Sequence, residues 1–229
     1  MAMFAVIIFS KPVPLNILSV NISSPRTVLF NGKKITTGIF KTPVQHPVFV
    51  GVQGVKDDHV ADTINHGGKD KACYLYSFNH YDYWKKLYPD LDWDYGMLGE
   101  NLTVEGLDEA QLKIGDIFDI GTASLQVAQP RLPCYKLGIK FGNQEVVNQF
   151  RAAPYPGAYM RVLKEGWVAK GDTMTLTQSR EDAPSLSAVF QLAYSKNPDR
   201  ELLKAAIKQP ALALRMKIYL SKKFITALF

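Results

Sequence analysis

The sequence predicts a mainly β protein with interspersed helices (α+β), in which short strands form a barrel or sandwich and a small three-helix unit follows. Three observations carry this. Short β-prone runs divided by Gly and Pro turns recur from Ile17 to about Thr177. Two stretches within that span switch to helical spacing. After "SREDAP" (179–184) the strand pattern stops and three helix-like segments close the chain. A 229-residue chain with 47% hydrophobic and 21% charged residues has an ordinary globular composition and buries a full core.

Taken in order, "MAMFAVIIF" is far too short an apolar run to span a membrane, lacks a basic leader, and is followed by "SKPVPL" instead of a small-residue cleavage site. Residues 1–15 are therefore expected to extend outside the fold, with no membrane partner. "TVLFNGKKITTGI" sets two β-prone runs around Asn31-Gly32, the strongest short hairpin signal. "PVFVGV" (47–52) is a buried-strand candidate, "ACYLY" another, "DIFDIGTASLQVAQP" a strand–turn–strand about Gly121, and "VAKGDTMTLTQ" a late strand. Between them, "SFNHYDYWKKLYP" (77–89) places Phe78, Tyr81 and Trp84 on one helical face and stops before Pro89. "NQEVVNQFRAA" (143–153) does the same with Val146, Val147 and Phe150.

A boundary near residue 184 separates a β-rich domain (16–184) from a helical one (185–229). Asn197-Pro198 reads as an N-cap with proline at the first helical position, and Gln209-Pro210 as a second such start. The whole net charge of +6 belongs to the helical unit, where basic residues such as Lys196, Arg215 and Lys223 face only Asp199 and Glu201. Leu202, Leu203, Ile207, Leu212 and Met216 are helically spaced, which favours a packed bundle with a solvated basic face over a nucleic-acid binder. The other reading of that face is a dock for nucleic acid or an acidic electron-donor protein.

Dinucleotide, P-loop, zinc-protease and serine-hydrolase signatures are absent. Cys73 and Cys134 are the only cysteines and form no C-x-x-C pair, so two free thiols in a reducing cytoplasm are expected. Cys73 falls in an apolar strand and reads as core. Cys134 lies in a loop stiffened by Pro130 and Pro133 and flanked by Arg131 and Lys136. Cations lower a thiol's pKa, and the thiolate is both a nucleophile and a soft metal ligand. "NHGGKDKA" (65–72) offers backbone N–H groups at Gly67 and Gly68, with Lys69 and Lys71 beside them, for an anion, or else a plain surface turn. Glu100 and Asn101 in "GMLGENLTVEGLDE" either meet a ligand or brace their turn. His46, His59 and His80 read as structural, and His66 and Cys73 lack zinc-ligand spacing.

Together these segments resemble the MOSC family, in its YiiM-type branch. The matching pieces are "NGKKITTGIFKTPV" (31–44), "ADTINHGGKDKACYLYSFNHYDYW" (61–84), "GENLTVEG" (99–106), "IGDIFDIG" (114–121), "QPRLPCYKL" (129–137) and "YMRVLKEGWVAKGD" (159–172), in family order across residues 16–177. The basic tail is similar to the small C-terminal domain of that branch. Two places depart from the pattern: Gln45-His46 stands where a glycine is usual, and Lys69 where a proline is.

The resemblance implies a closed, mainly antiparallel β-barrel that binds a pyranopterin molybdenum cofactor, with Cys134 as the molybdenum ligand. It implies reduction of N-hydroxylated compounds, N-hydroxylated bases among them, to amines. Thr37, Lys41, His66, Gly67, Gly68, Lys71, Asn101 and Arg131 then become candidates for holding the cofactor, and His66 for delivering protons. Without a flavin or iron–sulfur signature, a separate electron-donor protein is expected. Two rival functions are a metal-free thiol enzyme using Cys134 as nucleophile and a non-catalytic carrier of the cofactor or of sulfur.

Overall fold

A computed structural model describes residues 15–61 and 67–226. Its centre is a barrel of β1 (Leu15–Ile22), β7 (Cys73–Ser77), β8 (Leu102–Glu105), β9 (Ile117–Ile120), β10 (Ala123–Pro130), β11 (Ala158–Lys164) and β13 (Thr173–Gln178). The order β13-β9-β10-β11-β7-β8-β1 closes on itself where Leu15 pairs with Met174. Every neighbouring pair is antiparallel except β7 and β8, so the closed barrel is mainly antiparallel, as expected, with one parallel pair. A parallel pair cannot be joined by a tight turn, and the crossover from Ser77 to Leu102 carries α1 (Tyr81–Leu87) and the turn ending at Asn101. Strand β4 (Thr42–Val44) adds to the end of β1. Strands β5 (Val48–Gly51), β6 (Gly54–Val55) and β12 (Gly166–Val168) form a side sheet.

The Asn31-Gly32 hairpin forms as expected from β2 (Arg26–Phe30) and β3 (Lys33–Thr37). Asn31 (φ 48°) and Gly32 (φ 74°) both take the left-handed conformation a two-residue type I′ turn requires. The hairpin stands apart from the barrel as its own two-stranded sheet.

Period-two alternation in β7 explains how one apolar run serves two cores. Cys73 and Leu75 join the aliphatic interior of the barrel, with Leu102, Leu125 and Met160. Tyr74 and Tyr76 face the other way, into an aromatic cluster covered by α1, α2 (Tyr135–Phe141) and α3 (Glu145–Ala152). There Trp84 stacks on Phe150 with ring centroids 5.7 Å apart, and its indole N–H donates to the Tyr76 hydroxyl at 2.6 Å. Burying each such ring contributes on the order of 2–3 kcal/mol. Helix α2 was not foreseen: it follows directly on Cys134, and at Gly138 inside it the end of the Gln144 side chain occupies the space a Cβ would take, 2.4 Å away.

The tail forms α4 (Leu186–Tyr194), α5 (Arg200–Lys208) and α6 (Leu214–Thr226). Two expected starts are corrected. The α5 cap is Asp199, not Asn197, because its carboxylate accepts from the N–H groups of Glu201 and Leu202 at 2.9 and 3.1 Å. Gln209 ends α5 and Pro210 lies in the turn before α6. Leu186, Val189, Leu203, Met216 and Leu220 share one apolar core with the barrel. Among the described residues no helix is long and apolar enough to cross a membrane.

Candidate active site

Residues from six separate segments meet around one cavity of about 690 Å³. The hairpin exit supplies Thr37 and passes into Lys41. The turn before β7 supplies Gly67, Gly68 and Lys71, the turn before β8 supplies Asn101, and the end of β10 supplies Arg131 and Cys134. All eight of these expected residues line the cavity; His66 lies outside the described residues. Asp58 and His59, from the loop after β6, join them, as do Lys136, Tyr74 and Tyr159, which the sequence reading did not assign to the site.

Cys134 owes its place to its neighbours. Pro130 ends β10, and Cys134 itself is extended (φ −129°, ψ 170°) immediately before the first turn of α2. Its carbonyl accepts from Leu137 N at 3.0 Å, which ties the thiol-bearing residue to the helix. Arg131 is buried beside it, donates to the Leu98 carbonyl and lies over the Tyr74 ring at 5.0 Å. Burial opposes the Arg131 charge, but Tyr74, Tyr159 and Cys134 together raise its pKa above the ordinary value.

Other expected residues prove to be engaged with protein. Lys41 is ion-paired with Asp58, both side chains almost fully buried. Burial outweighs the pull of Asp58 and lowers the lysine's pKa. Asn101 is a brace: its Oδ1 accepts from Tyr74 N at 3.1 Å, and its Nδ2 donates to Asp58 at 2.9 Å and to the Asn21 carbonyl at 3.3 Å. Glu100 does not line the cavity; it is fully buried and accepts from the Tyr81 hydroxyl, Gly96 N and Thr103. Cys73 is buried as expected, and burial pushes its thiol pKa up.

His59 departs from its structural reading. Its backbone N–H donates to the Ser23 carbonyl at 2.8 Å, and its carbonyl packs so closely on Gly38 that a Cβ there would come within 1.7 Å. This close approach, which only glycine permits, folds an acidic loop against the hairpin exit and carries Asp58 and His59 to the cavity. Among the described residues, the His59 Nε2 is buried without a hydrogen-bond partner. Buried polar atoms are rarely left so, and this one belongs to a residue lining a cavity with a thiol and several cations. Gly68 adds backbone at φ +91° with open space where a side chain would stand. A soft sulfur, a buried guanidinium, an unpartnered imidazole nitrogen and a glycine cradle fit an anionic, metal-bearing cofactor.

Comparison with known proteins identifies the relatives of this chain. Residues 62–175 match the family model described as MOSC domain. The chain is 36% identical over 208 residues to the uncharacterized protein YflK of Bacillus subtilis, covering 91% of this chain and 94% of that one. It is 33% identical over 191 residues to a protein of Gibberella moniliformis named reductase, covering 82% of this chain but 34% of the longer relative. The crystal structure of YiiM from Geobacillus stearothermophilus superposes with a TM-score of 0.77 at 33% identity, over 92% of this chain and 99% of that one.

Proposed function

The chain belongs to the MOSC domain family, of YiiM type, and on that premise we propose that it is a molybdenum-cofactor-dependent reductase of N-hydroxylated compounds, bases and hydroxylamines among them. The reaction is R–NH–OH + 2e⁻ + 2H⁺ → R–NH2 + H2O, with the electrons delivered by a separate donor protein in the cytoplasm. One observation carries the reading: Thr37, Lys41, Gly67, Gly68, Lys71, Asn101, Arg131 and Cys134, scattered through the chain, surround a single cavity. The reductase name of a relative supports the redox class.

Cys134 would ligate molybdenum, and Arg131, Lys71 and the Gly67-Gly68 backbone would hold the cofactor's anionic end. The bound cofactor supplies the two-electron step. The chain's own contribution is to place the thiol, exclude water and hold protons. Asn101 fixes Asp58, and Asp58 fixes Lys41. The Nε2 of His59, unpartnered among the described residues, joins His66 as a candidate for passing a proton to the leaving oxygen.

The test is metal analysis of protein purified from a cofactor-competent host, followed by assay of N-hydroxylated purines and hydroxylamines with a chemical reductant. Molybdenum near one per chain and reductant-dependent amine formation support the proposal. Molybdenum without turnover would favour the carrier. Turnover without molybdenum would favour the thiol enzyme.

A further inference from the structure

A second, smaller cavity of about 200 Å³ lies between the barrel and the start of α6, lined by Lys71, Gln129, Leu132, Tyr159, Arg215, Met216 and Tyr219. Lys71 and Tyr159 also line the larger cavity, and the Lys71 ammonium sits over the Tyr159 ring at 5.6 Å. These two residues therefore form a partition between adjoining spaces. The charged residues on the smaller space, Lys71 and Arg215, are both cationic, and among the described residues no carboxylate lines it. It abuts the first turns of α6, whose amino end carries partial positive charge.

Gln129 is the second, independent observation. It is 4% exposed, and among the described residues its side-chain amide is hydrogen-bonded to nothing in the protein, although it lines this cavity. An amide that reaches a cavity from an otherwise buried residue, with no protein partner, is open to a ligand or solvent partner. Arg215, by contrast, is exposed and reaches the same space from the helix.

We infer that this small cavity is a substrate subsite for an anionic end group, phosphate or carboxylate, of a molecule whose N-hydroxyl group reacts in the larger cavity. The inference rests on the reductase reading and narrows its substrate class. A free N-hydroxylated base ends at the Lys71–Tyr159 partition, whereas a nucleotide or an N-hydroxylated acid passes it and meets Gln129 and Arg215. The basic tail thereby contributes to specificity and not only to packing.

The experiment uses protein as purified from a cofactor-competent host and, as probes, adenosine, adenosine 5′-monophosphate and adenine N9-acetic acid, amine-form ligands needing no turnover. The monophosphate or the carboxylate is expected to bind at least about tenfold more tightly than adenosine, the scale of one charged hydrogen bond. Which anion gains more separates phosphate from carboxylate. Arg215→Gln and, separately, Gln129→Met should each shrink that preference, while Lys208→Gln, an equal charge change elsewhere on the helices, should preserve it. Molybdenum content should be the same in all variants. Equal binding of the three probes to wild type, or a preference that survives Arg215→Gln, overturns the inference. Loss of molybdenum in Arg215→Gln also overturns it, assigning the subsite to the cofactor's phosphate instead. Wild type without molybdenum would remove the reductase reading, and the binding comparison would still decide the subsite.

Discussion

The two cysteines of this protein show how position, not residue type, determines what a thiol can do. Cys73 sits on β7, where alternation turns it into the barrel interior; it is 0% exposed and burial pushes its pKa up. Cys134 sits where β10 ends at a proline and α2 begins, half-buried on a cavity wall beside Arg131. A strand places its side chains by period two and so hides every second one. A proline-bounded junction between strand and helix has no such period and can present a side chain at a chosen point. The contrast predicts an inert thiol and an available one in the same molecule.

The largest effect that could break this contrast is in metal content. Cys134→Ala should reduce bound molybdenum from near one per chain to background, while Cys73→Ala keeps it; the opposite pattern would exchange the roles of the two residues. Alkylation comes next. On protein freed of molybdenum, iodoacetamide should modify Cys134 at least about a hundredfold faster than Cys73, whose reaction must wait for opening of the fold. Comparable rates by peptide mass analysis would contradict the burial difference.

Stability should show a smaller, reversed contrast. Cys73→Ser puts a hydroxyl into an apolar core and is expected to cost about 1–3 kcal/mol in urea unfolding, whereas Cys134→Ser should cost under about 0.5 kcal/mol. The smallest effect concerns how α2, the Cys134 helix, is anchored. Lys140 on that helix donates to the carbonyls of Ile39 at 3.2 Å and Gly96 at 2.6 Å. Burial lowers its pKa from 10.5 to about 8. Between those values the unfolded chain binds the extra proton, so stability should rise as pH increases through that window. Lys140→Met should flatten the rise, read as urea midpoints at about pH 7.5 and 9.5; an unchanged slope would mean that burial does not lower the pKa of this amine.

The same contrast between periodic and junction positions explains what could be read from the sequence. Asn31-Gly32, the Tyr81–Trp84 face and the Cys73 strand follow local rules, and each formed where expected. Cys134, Gly67-Gly68 and Lys71 were legible as chemistry because thiol, glycine pair and cations stand out in composition, and because the segments carrying them resemble a known family. Asp58 and His59 were not. Their loop reaches the cavity only because Gly38 lets two backbones touch, a contact between positions far apart in chain and without a periodic trace. Lys41 and Asn101 were legible as polar groups of the site but not as a buried pair and a brace, since pairing is set by tertiary approach. Helix α2 escaped because Gly138 weakens its propensity; the end of the Gln144 side chain lies where a Cβ would be.

Closure of the barrel by Leu15 against Met174 sets a schedule. The strand made first must wait for the strand made last, so the ring cannot shut until β13 has left the ribosome. Its dependence on such distant pairing makes folding slow relative to local helix formation. The cavity, whose walls run from Thr37 to Tyr159, has no complete form on a shorter chain. Any cofactor held there would enter only after β13 has joined the ring, and truncation of β13 should yield a chain that cannot be loaded at all.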